Sequence, residues 1–551
     1  MSATGADALV AALEGAGVEV VFGLPGVHNL AAWEALRTSP IRLIGVRHEQ
    51  AAAYAADGYA RTTGRAGVAL VTTGPGAANT LGAVGEAWAS RSPVVVIATD
   101  VPTGLRREGV HRGMLHEVPD QAGLFRPVTK AALRVERAAD VGDAVALALH
   151  RACAPPARPV YVEVPTDLLS GSPTKPSTGS DPQALAGSDP LEGSPQASAG
   201  SDPLEGSLRV AADLLADVQR PLVWAGGGAV DAGEAVAALA ERLGAPIFTT
   251  YTARGVAGDH PLAVGLPPHL PRTGALWDQA DAVVAVGSDL DGMSTQNWLH
   301  PRPPTLVAIN VDRDDAAKNY EPDVVIEGDA TLAAGLASRL DGPREPWVDL
   351  DGLRRSALDD LRRDFPAELR FLDAVPAEAV VFADMCIPGY WLAGFRRVPA
   401  PRRLAYPMGW GTLGFAFPAA LGAAAARPNA PVISVSGDGG FLFAPGELAT
   451  LQLERLPLTA VIVDDAGYGM LRYDQDAAGR ERTGVDLATP DFEALAASFG
   501  LRAQTVDGLD DAFEHALAAH LADAAPSVLV AKAALQPPPT TSPRWYRKRS
   551  A

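Results

Sequence analysis

Apolar residues come along this chain in short solid runs, each closed by a turn and followed by a helical stretch. Such runs stand at 18–23, 41–46, 68–72 and 92–99. Helical patterns fill 6–15 and the alanine-rich 51–61, and the glycine-rich turn 73–79 opens another helix. A run that is apolar throughout, bounded by turn residues, suits a strand buried on both faces. Alternation of such strands with helices predicts a parallel sheet wrapped by helices. The pattern restarts at 208, with strands from 221, at 246–250, 282–286 and 305–310, and a helix over 232–243. It returns a third time beyond 377, with strands at 431–435 and 458–463. The fold class read from this is α/β, with three Rossmann-like parallel-sheet domains at 1–168, 208–341 and 377–535.

The stretches between break the pattern. Residues 171–207 are nearly all Ser, Gly, Pro, Ala, Asp and Thr, and the octet Gly-Ser-Asp-Pro-Leu-Glu-Gly-Ser occurs at 187–194 and again at 200–207. A tandem duplication without core-forming residues predicts a flexible linker over 169–207. Residues 342–376 read as a charged connector with a helical stretch, and 536–551 as a Pro-rich, basic and aromatic tail.

Composition narrows the function less than it excludes. A chain of 551 residues with a net charge of −19 argues against nucleic acid or an anionic membrane surface as its partner. Two distant cysteines, Cys153 and Cys386, make neither a disulfide framework nor a zinc site. The start of the chain lacks a signal-type segment, and no apolar run reaches the ~18 residues of a membrane span. The expected location is cytoplasmic. The triple glycine 226–228 is not spaced as Gly-x-Gly-x-x-Gly, and glycines also serve close helix–strand packing.

The chemistry concentrates at strand ends. Gly437-Asp438-Gly439-Gly440 closes one predicted strand, and Asp464-Asp465-Ala466-Gly467 closes the next. Ligands bind at the carboxyl ends of strands in open α/β sheets. Two carboxylates and a loop carbonyl facing one point suit Mg²⁺, which takes oxygen ligands. Alone, Gly-Asp-Gly is as readily an ordinary strand-to-helix turn. Glu49, likewise at a strand's end, could simply favour the start of its helix.

Together these motifs resemble a known family. Gly-Asp-Gly followed by a paired Asn-Asn, here Asp464-Asp465, is the diphosphate-binding motif of thiamine diphosphate (ThDP) enzymes. Residues 47–61 resemble the activating-glutamate segment of the acetohydroxyacid synthase-like branch, and 71–79 its next motif, with Thr73 and Asn79. The segment 406–422 resembles the one that bends the cofactor into its V shape. The resemblance implies a pyrimidine-binding domain at 1–168, a central domain at 208–341 and a diphosphate-binding domain at 377–535. It implies that Asp438, Asp465 and the Gly467 carbonyl hold Mg²⁺, and that Gly437, Asp438, Gly439 and Gly440 line the diphosphate. Leu413 would wedge the V, and the Gly411 carbonyl would receive the aminopyrimidine. Glu49 would drive that ring to its imino form, which takes the thiazolium C2 proton. The carbanion so formed attacks the carbonyl of a 2-oxo acid; CO₂ leaves, and an aldehyde is released or a second carbonyl is joined. FAD, which some members carry in the central domain, is possible but not expected. Active sites built between chains imply a homodimer or homotetramer.

Departures from the family sharpen the expectation. Met293 stands where acetohydroxyacid synthases place an arginine for the second substrate, and Asp474 where they place a tryptophan. The balance therefore tips to a decarboxylase over an acetolactate synthase-like carboligase. Leu115-His116-Glu117 replaces Phe-Gln-Glu, so His116 could relay protons; a surface-loop histidine is the other reading. Cys386-Ile387-Pro388 replaces polar residues, leaving that part of the diphosphate anchor to backbone amides. Asp289, Asp291 and Asp474 could favour a cationic substrate, or be solvated loop acids. A catalytically inactive ThDP-binding scaffold is the rival, with the retained Glu49 counting against it.

Overall fold

The computed structural model of the chain describes residues 4–107, 109–171 and 203–539. Three parallel sheets organise it. The first holds β1 (Val20–Gly23), β2 (Arg42–Gly45), β3 (Gly67–Val71), β4 (Val94–Asp100), β5 (Ala131–Arg134) and β6 (Val160–Pro165), in the order β2-β1-β3-β4-β6-β5. The central sheet holds β7 (Pro221–Ala225), β8 (Ile247–Thr249), β9 (Ala282–Val286), β10 (Thr305–Asn310) and β11 (Val324–Glu327), ordered β11-β10-β9-β7-β8. The third holds β12 (Val380–Ala383), β13 (Leu404–Ala405), β14 (Val432–Gly437), β15 (Leu458–Asp464), β16 (Arg502–Asp507) and β17 (Ser527–Lys532). Its order, β13-β12-β14-β15-β17-β16, repeats that of the first sheet strand for strand. β3, β4, β7, β9 and β12 are buried along their whole length, as their unbroken apolar runs require.

In both outer sheets the strand order reverses beside the first strand: between β1 and β3, and between β12 and β14. Such a switch point opens a crevice at the strands' carboxyl ends. Glu49 follows β2 and the glycine-rich turn follows β3, on one crevice. Asp438 follows β14 and Asp465 follows β15, on the other.

The first and third sheets share one hydrophobic core. Helix Glu49–Thr63 crosses helix Ala416–Ala426 through alanines and two glycines. A Cβ on Gly58 would stand 2.6 Å from the Ala419 carbonyl carbon, and one on Gly422 would stand 2.7 Å from that of Ala55. Only glycine at these two positions allows the backbones so close.

The linker expectation is corrected at its far end. Pro203–Ser207, part of the second octet, belongs to helix Pro203–Leu215. Pro203 suits the first helical position, and Leu204, Leu208, Ala211 and Leu215 fall on one face against the central core. Glu205 pairs with Arg339. The remainder of the repeat, 172–202, and the basic tail from 540 lie outside the described residues. The 342–376 stretch forms two helices, Leu350–Asp364 and Pro366–Ala374. The triple glycine is a packing device: a Cβ on Gly226 would stand 2.6 Å from Ser288.

Candidate active site

The first crevice gathers four loops around Glu49. This residue opens its helix, with His48 as N-cap accepting a hydrogen bond from the Gln50 amide. Glu49 is half-buried, and its Oε2 accepts a 2.9 Å hydrogen bond from Asn79 Nδ2. Its Oε1 lies beside Gly76, where a Cβ would stand 3.5 Å away. Glu49 and Asn79, both expected site residues, are thus brought together. Thr73 is not: its buried hydroxyl donates to Thr99 Oγ1 at 3.0 Å, inside the sheet.

His116 lies on the same crevice. Its backbone has φ +67°, and it presses on Gly74, where a Cβ would stand 3.0 Å from His116 Cα. Its ring meets His28 edge-on, centroids 5.4 Å apart. Under Gly74 runs a buried network that the sequence did not announce. Gly74 N–H donates to Gln121 Oε1 at 2.6 Å, and Gln121 Nε2 donates to the Tyr161 hydroxyl and to Glu163 Oε2. Arg134 and Arg106 flank Glu163 and Asp100. Burial and the Asp100 charge push Glu163 up to about 7.

The second crevice collects the remaining expected residues. Asp438 is buried; its Oδ1 accepts from Gly439 N–H at 2.8 Å and its Oδ2 from Gly467 N–H at 2.7 Å. Those bonds tie the ends of β14 and β15 together. Asp465 stands on the same loop, and Gly469 leaves room for its carboxylate. Burial pushes Asp438 up to about 7, with the Asp465 and Asp464 charges adding to it. Asp465 is raised mainly by burial as well, against the pull of Arg472. Asp438 is buried and Asp465 half-buried with Arg472 3.9 Å away, and a divalent cation would relieve the raised pKa of both. No cluster of three or more His, Cys, Asp or Glu arranged for a metal occurs among the described residues. Asp438, Asp465 and a loop backbone oxygen would together offer oxygen donors only, the kind that a hard cation such as Mg²⁺ takes. Asp464 turns to its own loop, accepting from Ala466 N–H and the Thr489 hydroxyl.

Gly411 has φ +69°, and half-buried Leu413 follows it. Their loop is bolted down by Asp384, which sequence reasoning missed. Fully buried at the end of β12, Asp384 accepts from Gly414 and Phe415 N–H, each at 3.1 Å. Gly440 packs on its other face, where a Cβ would stand 2.7 Å from Oδ2. Asp384 thereby joins the Gly411–Leu413 loop to the Gly437–Gly440 turn, and burial pushes it up to about 6. Cys386 is the N-cap of helix Ile387–Phe395. That helix starts beside Gly437, but Pro388 brings no N–H and Tyr390 N–H is bonded to the Cys386 carbonyl, so its first turn offers an anion few amides.

Two further acids tie the crevices together within one chain. Glu447 Oε1 accepts from Arg47 N–H at 2.9 Å and His48 N–H at 3.0 Å, immediately before Glu49. Glu86 Oε2 accepts from Trp410 N–H at 2.9 Å, immediately before Gly411.

Two of the three acids expected to favour a cation are already engaged, which corrects that expectation. Asp289 is ion-paired with Arg91 at 2.9 Å and Lys318 at 2.7 Å. Asp291 accepts from the Ser294 amide and hydroxyl. Asp474 is exposed on helix Gly469–Ala477. A cleft of about 620 Å³ separates the central sheet from the other two, lined by Arg91, Tyr251, Asp291, Met293 and Tyr406 among others. Among the described residues no helix is long and apolar enough to cross a membrane.

Comparison with known proteins agrees with this geometry. Three family profiles match: the thiamine pyrophosphate enzyme N-terminal TPP binding domain at 3–124, the central domain at 208–336, and the C-terminal TPP binding domain at 385–531. A probable acetolactate synthase large subunit of Methanocaldococcus jannaschii is 32% identical over 542 residues, covering 92% of this chain and 88% of that protein. A probable 2-ketoarginine decarboxylase of Pseudomonas aeruginosa is 34% identical over 531 residues, covering 92% and 90%. The acetolactate synthase isozyme 2 large subunit of Escherichia coli is 31% identical over 528 residues, covering 92% and 91%. With profiles matched across all three sheets and relatives aligned along nearly the whole chain, this protein belongs to the thiamine diphosphate enzymes of the acetohydroxyacid synthase and 2-oxo acid decarboxylase superfamily.

Proposed function

We propose that the chain is a ThDP- and Mg²⁺-dependent decarboxylase of a 2-oxo acid that releases an aldehyde. The observation that carries the reading is the Glu49 carboxylate, presented at the first crevice by Asn79 and Gly76. A protein that merely bound the cofactor would have no use for it. Bound ThDP supplies an electron sink for the pair left when CO₂ departs. The chain's own residues do the rest. Asp438, Asp465 and the Gly467 carbonyl hold the metal, and the Gly437–Gly440 turn receives the diphosphate. Gly411 and Leu413 seat the aminopyrimidine half, with Glu49 exchanging a proton at its ring nitrogen and His116 serving the substrate side.

Release over carboligation is favoured by Met293, half exposed on the central cleft at the position of the acceptor arginine. The substrate class follows from the relative described as a 2-ketoarginine decarboxylase: a 2-oxo acid with a guanidino tail. Of the three acids considered, Asp474, exposed on helix Gly469–Ala477, is the one free to meet such a cation. A second reading, acetolactate synthase-like ligation, rests on the two synthase relatives.

The active assembly is a homodimer or a larger even oligomer. Around the first crevice Val27 is 73% and Leu115 70% exposed; around the second, Phe443 is 53% and Leu471 51%. Apolar side chains rimming two open crevices are what a second copy would cover.

The test is CO₂ release from a panel of 2-oxo acids, with and without ThDP and Mg²⁺. One aldehyde per CO₂, fastest with 5-guanidino-2-oxopentanoate, is the expected result. A carbon–carbon-joined product would establish the second reading, and absence of CO₂ with ThDP bound would overturn both.

A further inference from the structure

The loop between β15 and helix Gly469–Ala477 is crowded with acid. Asp464 and Asp465 are neighbours on it, and buried Asp438 lies against it from the end of β14, accepting from Gly467 N–H at 2.7 Å. On the loop's far side Gly467 makes an antiparallel bridge to Asp486. Among the described residues one cation is in ion-pair contact with these acids, and it is Arg472. Arg472 rises from the first turns of helix Gly469–Ala477, its backbone N–H donating to the Tyr468 carbonyl at 3.0 Å. Its side chain is folded back over the loop and is only 16% exposed. Nη1 donates to the Asp465 carbonyl at 2.7 Å and stands 3.9 Å from Asp465 Oδ2. Nη2 donates to the Ala466 carbonyl, and Nε faces Asp486 Oδ1 at 2.7 Å. Room for the guanidinium is made at one residue: a Cβ on Gly467 would stand 2.5 Å from Arg472 Cζ. The grip on the carbonyls also holds Ala466 at φ +57°, a backbone that a residue with a side chain rarely adopts.

We propose that Arg472 is a positioning residue for the cofactor: it supplies the fixed positive charge that lets a loop with Asp465 facing Asp438 accept a metal-bound diphosphate. The proposal rests on the reading of Asp438, Asp465 and the Gly467 carbonyl as the metal site. A diphosphate carries more negative charge than one divalent ion removes, so the metal-bound group enters the loop as an anion. It meets three acids, Asp438, Asp464 and Asp465, in a site largely closed to water. Like charges repel strongly where water does not screen them, and a guanidinium stays charged at every working pH.

The guanidinium does two things, and they are separable. Its bonds to the Asp465 and Ala466 carbonyls shape the loop whatever side chain stands at 465. Its charge matters while 465 is an acid and loses most of its use when 465 is neutral. The sign of the charge effect is also diagnostic. A cation beside the site repels a bare metal ion and attracts the metal-bound diphosphate, so removing it should weaken binding only when the diphosphate is present.

The experiment titrates ThDP, in the presence of Mg²⁺, into the cofactor-stripped full chain by calorimetry. Four proteins are compared: wild type, Arg472→Gln, Asp465→Asn and the double variant. Arg472→Gln should weaken ThDP binding by about 10–100-fold, the usual cost of removing a partner of a metal ligand. In the Asp465→Asn background the same change should cost less than about threefold, since the two side chains act as one coupled pair. Equal losses in the two backgrounds would mean that Arg472 only shapes the loop, and would overturn the proposal. Wild-type affinity in Arg472→Gln would overturn it as well. Should Arg472→Gln fail to fold by circular dichroism, Arg472→Lys carries the test, because it keeps the charge and loses the fork. Affinity close to wild type supports the charge role, and a loss of about tenfold or more overturns it. Mn²⁺ in place of Mg²⁺, followed by EPR, reads the metal itself. Arg472→Gln should bind Mn²⁺ no more weakly than wild type without ThDP and more weakly with it; weaker binding in both conditions would again overturn the charge role. Wild type that binds ThDP equally well with and without Mg²⁺ would remove the metal reading and this role with it. Equal losses in the two backgrounds, with Mg²⁺-dependent binding in wild type, would remove the role of Arg472 alone.

Discussion

The crossing of helix Glu49–Thr63 over helix Ala416–Ala426 is the joint on which Glu49 depends, and Gly58→Ala tests it. In an isolated helix this change would stabilise by about 1 kcal/mol. Here the new Cβ would stand 2.6 Å from the Ala419 carbonyl carbon and closer still to its oxygen. Ordinary carbon–carbon contact is ~3.5–4 Å, so the helices must part by about 1 Å. Overpacking of this kind costs about 1–3 kcal/mol. Separation also strains the bonds from Arg47 and His48 N–H to Glu447, and bonds to a charged group contribute about 1.5–3 kcal/mol. Set against the helix-propensity gain, the net loss should be about 2–4 kcal/mol. Urea unfolding monitored by far-UV circular dichroism reads it, together with turnover at saturating ThDP. Gly422→Ala, pressing on Ala55 from the other helix, should behave alike, and the two together should be less than additive because they relieve one contact. A Gly58→Ala protein as stable as wild type, or more so, with unchanged turnover would refute the close crossing.

Other outcomes follow from single groups. Asp438→Ala should weaken Mg²⁺-dependent ThDP binding at least about tenfold by calorimetry because it removes an oxygen ligand, whereas Asp465→Asn should retain Mg²⁺ because an amide oxygen still ligates. The Glu163 carboxyl, raised from its ordinary value to about 7, binds its proton more tightly in the folded chain. Its favourable contribution is full below pH ~4.5 and is lost as pH rises through 7, by at most about 3 kcal/mol. Loss of the Glu163 contribution should accordingly lower melting temperatures between about pH 5 and 7, and Glu163→Gln should remove that contribution from the profile; an equal slope in the variant would exclude Glu163 as its source. Asp384→Ala leaves the Gly414 and Phe415 amides unpaired in the core, so it should destabilise by about 2–4 kcal/mol in thermal or urea unfolding and loosen ThDP.

Much of the site was legible because it is local to strand ends. Asp438 and Asp465 terminate adjacent strands in register, with Gly437 opposite Val463, so sequence spacing alone placed them together. Glu49 and Asn79 follow strands on either side of β1, and their pairing was likewise within reach. Thr73 keeps its motif position at the crevice, while its hydroxyl is engaged by Thr99 inside the sheet, a contact that sequence spacing did not show. Asp384, Glu86 and Glu447 escaped notice because their partners lie 30 to 400 residues away, and an isolated acid carries no period. Asp384 still left a trace, as an acid directly after a buried strand. The far end of the linker was misjudged for another reason. Its repeat drew attention from the spacing of Leu204, Leu208, Ala211 and Leu215, a helical face in plain view.

Glu49 activating bound ThDP is tested most directly by the exchange of the cofactor's C2 proton for deuterium on the enzyme, followed by quenched-flow NMR. Wild type should exchange far faster than free ThDP, and Glu49→Gln should bind ThDP with similar affinity yet exchange at least about 10²-fold more slowly. Equal exchange in the two proteins, with ThDP bound to both, would contradict the account.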